Sequence, residues 1–320
     1  MGTSTATVTT AVTTKIGDDQ AASISRTMTM KARMAFLARD ELWNHVKPYK
    51  LGYEPVGIDL PRTNHKLEVH EVDIHDMRGI SDRVSLDRNG FEVHQLHSKL
   101  PYEDFFDSAK VAAVYLKEIQ GLVKSVCGAK QALPLDAELR CRHASFPTST
   151  GEHYQFAQPS LLTHIDVTVD GAKEIIKKLY PTAADEILKS RIQMVTVWKP
   201  LKGPVEDWPL AVCDATSLDP SDAVSADVVY QKVVTENYLV HYSDKQKWFY
   251  LDRQEPHEVL VFKAADSEPG QTARCAHGSF DIGARAHRGS NLRSVRESID
   301  ARVLVMHAEI DYPQAGEWAF

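Results

Sequence analysis

From residue 138 to residue 307 the chain is a succession of short apolar, β-branched runs separated by turn residues, too closely spaced to leave room for long helices. Candidate strands fall at 138–146, 160–169, 193–198, 234–242, 247–251, 258–263 and 298–307. Runs of this kind, bounded by Gly, Pro, Asp and Ser, are strands. Seven or eight of them in one stretch argue against a helical bundle and a doubly wound sheet. They predict a mainly β fold with flanking helices, built on a double-stranded β-helix (a jelly-roll, cupin-like core) from about 138 to 307.

Helices are expected around that core. In 103–126, Val111, Val114, Tyr115, Leu116, Ile119, Leu122, Val123 and Val126 recur every three or four residues, which makes one apolar face for the outside of a sheet. Shorter helices are expected at 171–179, ahead of Pro181, and at 183–188. Residues 27–46 carry apolar side chains at mixed spacing and suggest a short helix or an irregular packed arm. Residues 65–75 and 91–97 alternate polar and apolar positions and read as strands. No internal repeat or Pro/Gly-rich linker divides the chain. The expected organisation is a disordered tail, 1–25, followed by a single catalytic domain, 26–320.

The partner classes narrow next. A net charge of -7 without a run of basic residues argues against nucleic acid. No apolar run reaches the ~18 residues of a membrane span. Cys127, Cys141, Cys213 and Cys275 form no Cys-x-x-Cys pair, which fits a reducing compartment. The expectation is a cytoplasmic protein acting on a small molecule, with oligomeric state open.

The chemistry starts at Leu161-Leu162-Thr163-His164-Ile165-Asp166-Val167-Thr168. On a strand, His164 and Asp166 face the same side. An imidazole and a carboxylate there supply two parts of a 2-His-1-carboxylate triad, which holds Fe(II) and leaves positions open for oxygen and co-substrate. A third ligand from a neighbouring strand is best supplied by His277, which enters a strand after the turn-rich stretch 266–270. His241, His257, His287 and His307 compete less well by position.

Downstream, Arg296, Ser298 and Arg302 share one face of a regular strand. Arginine offers the rigid fork that a carboxylate needs, and the Ser298 hydroxyl adds a donor. A keto acid anchored by Arg296 and Ser298 is the expectation. Arg302 lies some 20 Å further along a straight strand at ~3.3 Å per residue, so it joins that ligand only if the strand bends. It otherwise reaches substrate. Arg140, Arg142 and His143 are candidates for an anionic substrate, with surface ion pairs as the alternative. Trp198, Trp208, Trp248, Phe249 and Tyr250 are candidates for a pocket wall or for plain core.

His-x-Asp, a distal His and Arg-x-Ser with a second Arg four residues on resemble the Fe(II)/2-oxoglutarate-dependent dioxygenases. Several segments resemble, more narrowly, the hydroxylase/desaturase proteins of fungal secondary metabolism that are similar to the cephamycin 7α-methoxylation protein. Those segments are 197–205 (VWKPLKGPV), Trp208-Pro209-Leu210-Ala211 with Cys213-Asp214, 258–263 (EVLVFK), Asp266-Ser267 and 296–302 (RESIDAR). The resemblance covers roughly 138–306. Lys199 and Thr196 depart from it, standing where Arg and Asn are usual. It implies a double-stranded β-helix, Fe(II), 2-oxoglutarate and O2 as cofactors, and oxidation of an unactivated C–H bond by hydroxylation, desaturation or ring closure. A non-catalytic cupin-like binding protein and a zinc hydrolase with the same ligands are the competing readings.

Overall fold

The computed structural model describes residues 28–55, 57, 59–148, 154–271, 274–283, 295–309 and 311. The expected tail, 1–25, lies outside the described residues, as does His287. Two sheets face each other. The larger runs in the order β1 (Thr29–Leu37), β3 (Leu67–Asp76), β11 (Trp248–Tyr250), β8 (Leu210–Cys213), β13 (His277–Ser279), β6 (His164–Ile165), β10 (Val234–Val240), β9 (Ala223–Val229), β2 (Tyr49–Leu51). The smaller runs β4 (Phe91–Gln95), β12 (Glu258–Asp266), β7 (Ile192–Pro200), β14 (Glu297–Met306), β5 (Gln131–Cys141). This is the expected jelly-roll architecture.

The smaller sheet is covered on both faces, which explains why β7 and β12 are buried along their whole length. Val195, Val197, Val259, Val261, Ile299, Ala301 and Val303 face outward and pack under Tyr115, Ile119 and Val123. The opposite face carries Met194, Thr196, Trp198, Leu260 and Phe262 into the space between the sheets.

The covering element is expected as one helix over 103–126, and the structure divides it. A 3-10 turn, Tyr102–Phe106, precedes Asp107, whose carboxylate accepts from the amides of Ala109 and Lys110. From that cap the chain runs through α1 (Ser108–Lys110), a π-helical turn at Val111–Tyr115 and α2 (Leu116–Val126). Gly128 closes the run with φ of 58°, a conformation that costs glycine little. The other helices are α3 (Val169–Leu179) and α4 (Ala184–Ile187).

Two further expectations need correction. The 27–46 segment is no helix or irregular arm: Met30, Ala32, Met34 and Phe36 alternate inward on β1, paired antiparallel with β3 over nine rungs. The sheets therefore draw on strands well upstream of residue 138. The strand expected at 160–169 shrinks to His164–Ile165, because Thr168 accepts from the Gly171 amide at 2.9 Å and starts α3. Lys199, where the chain departs from the family pattern, points to the outer face with Val195 and Val197.

Lys199 is 5% exposed, donates to the Pro256 carbonyl and lies 5.7 Å from the Phe105 ring centre. Burial pushes its pKa down to about 8. The folded chain releases this proton near pH 8 and the unfolded chain only near 10.4. The folded state thus holds fewer protons in that window, and stability rises with pH across it. Lys199→Met is expected to stabilise the fold by roughly 1–3 kcal/mol at pH 7. The gain should fade above pH 8, as read by denaturant melts at several pH values.

Candidate active site

β13 lies between β8 and β6 with His277 directly opposite His164. Asp166 follows β6 by one residue and shares the side chain direction of His164. The outcome is a tight group: Nε2 of His164 and Nε2 of His277 each lie 3.4 Å from Oδ1 of Asp166. The ligand atoms of all three lie within 4.8 Å of one another.

The rings are oriented from behind. Nδ1 of His164 donates to the Leu162 carbonyl at 2.7 Å, and Nδ1 of His277 to the Cys275 carbonyl at 3.3 Å. A carbonyl can only accept, so Nδ1 carries a proton in both rings, and in the neutral form of each ring Nε2 keeps its lone pair for a metal. The Phe262 ring packs 4.5 Å from the His277 ring, centre to centre. The second Asp166 oxygen accepts from the Thr196 hydroxyl at 2.5 Å, across the gap from β7.

Electrostatics agree with the geometry. Burial opposes charge on Asp166, but the facing His277 and His164 hold its carboxyl well below the usual carboxylate range. Burial and the neighbouring His277 push His164 down. For His277 burial is outweighed by Asp166, and its pKa rises. Two imidazole nitrogens and one carboxylate on a shared face fit a divalent metal and leave its other side open.

Thr196→Val is expected to weaken metal binding about 10- to 100-fold, the usual cost of removing a group that orients a ligand. Metal titration with melting temperature in parallel checks this. An unchanged metal affinity would remove Thr196 from the centre.

Beside this group stands Arg296, 4% exposed. Its Nη1 donates to the Trp208 carbonyl at 2.7 Å and to the Ser279 hydroxyl at 2.6 Å, and Nε donates to Ser298 at 3.2 Å. All these partners are neutral. Burial, and then the nearby Arg140, push its pKa down to about 9. The Trp198 ring lies 5.2 Å from the guanidinium, and its buried indole N–H has no hydrogen-bond partner among the described residues. A buried guanidinium that pairs with no carboxylate among the described residues, beside an unmatched donor, suits an anionic ligand. Ser279 is also two residues past His277 on the same strand face, about 7 Å away.

The other candidates separate. Nε and Nη2 of Arg302 are engaged by the Asp136 carboxylate, opposite on β5, so its fork is not free in the manner of Arg296. Arg140 pairs with Asp300 at 2.7 Å and with Glu138. Arg142 pairs with Asp207 at 2.5 Å. His143 is exposed and packs against Tyr154. Trp248 is fully buried in the core against Phe36, away from the triad. Of the rival histidines, His241 donates from Nδ1 to the Leu37 carbonyl at 2.7 Å, His257 stacks on His97 and His307 meets Gln193. Sequence reading missed Ser279, the Trp208 carbonyl and Asp207. Only the spacing of Ser279 from His277 offered a signal.

A family profile described as the oxidoreductase/YMDC permease-like domain matches residues 34–306. Among the described residues no helix is long and apolar enough to cross a membrane. The Fe(II)/2-oxoglutarate-dependent dioxygenase nvfI of Aspergillus novofumigatus is 34% identical over 244 residues, covering 74% of this chain and 83% of that protein. The hydroxylase/desaturase efuI of Hormonema carpetanum is 28% identical over 263 residues, covering 76% and 85%. The solved structure of the iron and α-ketoglutarate-dependent endoperoxidase NvfI superposes with a TM-score of 0.74 at 29% identity, covering 89% of this chain and 100% of that one. The chain belongs to this family, the Fe(II)/2-oxoglutarate-dependent oxygenases that include hydroxylases and desaturases of fungal secondary metabolism.

Proposed function

We infer that residues 26–320 form a single catalytic domain in which His164, Asp166 and His277 hold Fe(II), Arg296 and Ser298 bind 2-oxoglutarate, and an unactivated C–H bond of a small organic molecule is oxidised. The observation that supports this most directly is the juxtaposition of a two-nitrogen, one-carboxylate group with a buried arginine whose guanidinium, among the described residues, has only neutral hydrogen-bond partners.

When bound, Fe(II) with 2-oxoglutarate and O2 supplies the oxidising power for C–H cleavage. The chain's own residues do the rest. The Leu162 and Cys275 carbonyls fix the imidazoles, and Thr196 fixes the carboxylate. Arg296 and Ser298 take the far carboxylate of the keto acid. Phe262, Leu260 and Trp198 make an apolar wall that keeps bulk water from the centre. On the remaining side stand the pairs Arg140–Asp300 and Arg302–Asp136, polar groups suited to orienting a substrate that bears hydrogen-bonding substituents. Hydroxylation, desaturation and ring closure all begin with a C–H bond held at a defined position, and placing it is the protein's task.

Oxygen uptake by Fe(II)-loaded protein, measured against a panel of small metabolites, tests the reading. It should require 2-oxoglutarate and release succinate in step with oxygen. Uptake that is indifferent to 2-oxoglutarate overturns it.

A further inference from the structure

Arg142 and Asp207 lie outside the metal group, yet both are tied to the backbone of Arg296. Arg296 immediately precedes β14, so its amide is not part of the strand ladder. That amide donates instead to Oδ2 of Asp207 at 2.9 Å. The same Oδ2 accepts from Nε of Arg142 at 2.5 Å. The circuit closes through the main chain, where the Arg142 amide donates to the Arg296 carbonyl at 2.9 Å. Both members of the ion pair are largely withdrawn from water, with side chains 13% and 3% exposed.

The residue after Asp207 is Trp208, whose carbonyl accepts from the Arg296 guanidinium. Trp208 has φ of 44°, a left-handed conformation that a bulky residue adopts only when its surroundings impose it. The Phe146 ring meets the indole edge-on at 4.8 Å. Asp207 therefore anchors one side of a strained peptide whose other side aims a carbonyl at the arginine.

We propose that the Arg142–Asp207 pair is a positioning device for the keto-acid site: it fixes the Arg296 backbone and the Trp208 carbonyl together, and so sets the direction of the Arg296 fork. This rests on the reading that Arg296 binds the far carboxylate of 2-oxoglutarate. It gives Arg142 a task different from meeting an anionic substrate, because its Nε faces Asp207 and its Nη1 donates to the His143 and Ala144 carbonyls. Neither residue touches the His164–Asp166–His277 group, so the device acts on one end of the ligand only. A fork displaced by about an ångström loses its bidentate fit while the metal group stays intact.

The test is calorimetric titration of 2-oxoglutarate into protein loaded with Fe(II) without oxygen, or with Mn(II), alongside titration of the metal alone. Asp207→Ala and Arg142→Ala should each raise the 2-oxoglutarate Kd on the order of 10- to 100-fold and leave the metal Kd within about twofold. Asp207→Asn keeps an acceptor for the Arg296 amide and should fall between Asp207→Ala and the parent. It also serves where the alanine variant fails to fold. Binding of 2-oxobutanoate, which keeps the keto-acid end and lacks the far carboxylate, should not change. A merely structural pair would weaken metal, 2-oxobutanoate and 2-oxoglutarate alike, and that result overturns the proposal. So does an unchanged 2-oxoglutarate Kd in these variants while Arg296→Ala weakens it. If Arg296→Ala itself binds 2-oxoglutarate as the parent does, the assignment of Arg296 falls, and the positioning role with it.

Discussion

Arg296→Ala is expected to lower the affinity of the metal-loaded protein for 2-oxoglutarate by roughly 2–5 kcal/mol, the scale for truncating one partner of a buried charge pair. In Kd this is a factor of about 30 to several thousand. The size follows from burial. The guanidinium is 4% exposed, has only neutral partners among its hydrogen bonds and is pushed down to about 9 by desolvation. An incoming carboxylate relieves that penalty as well as forming the bond. The same cause predicts that Arg296→Ala costs little global stability, since the variant removes an unfavourable buried charge along with its hydrogen bonds. Arg296→Lys should recover only part of the affinity, because an ammonium cannot reach Ser298, Ser279 and Trp208 in one plane. Equal 2-oxoglutarate affinity in parent and Arg296→Ala would refute the assignment.

Asp166→Ala is the second large effect. Asp166 carries the only carboxylate of the triad and bridges both imidazoles through one oxygen. Its loss leaves two neutral nitrogens, a poor site for a hard divalent ion, and turnover should fall below about one thousandth of the parent's, equivalent to more than ~4 kcal/mol at the transition state. Folding should persist, because the group it leaves has no apolar packing role. The Thr196 hydroxyl loses its acceptor, a cost of about 1–3 kcal/mol. Metal titration, circular dichroism and oxygen uptake on one preparation check all three. Near-parental turnover would remove Asp166 from the centre.

How far the sequence carries depends on the range of each interaction. Period-two alternation placed His164 and Asp166 on one face, and Arg296 and Ser298 on another, and the structure keeps both arrangements. The apolar stripe from Val111 to Val126 lies where its spacing puts it, over the smaller sheet. The interruption at Asp107 was less visible, because a capping carboxylate inside an apolar repeat looks like one more exposed polar position. β1 was legible in principle, since Met30, Ala32, Met34 and Phe36 alternate, but Met and Ala are also good helix formers and the propensity signal was ambiguous. β13 is three residues long and survives only between two neighbours, so no local pattern announces it. Partner choice was beyond sequence altogether. That Arg302 meets Asp136, while the Arg296 guanidinium meets no carboxylate among the described residues, depends on strands 166 residues apart in one case and on a loop 88 residues away in the other.

The shortness of β13 also bears on which keto acid this site can accept. One three-residue strand carries His277 at its first position and Ser279, the neighbour of Arg296, at its third. The step from His277 to Ser279, which accepts from the Arg296 guanidinium, is thus two residues of extended backbone, a length set by covalent geometry. With Arg296 holding the far carboxylate as proposed, a homologue of 2-oxoglutarate with one carbon more or fewer is expected to buckle or fall short, as is 2-oxoglutarate itself in a variant with a residue inserted between His277 and Ser279. On that proposed site, part of the discrimination by length would reside in the main chain of β13 and not in the side chains of the opposite wall.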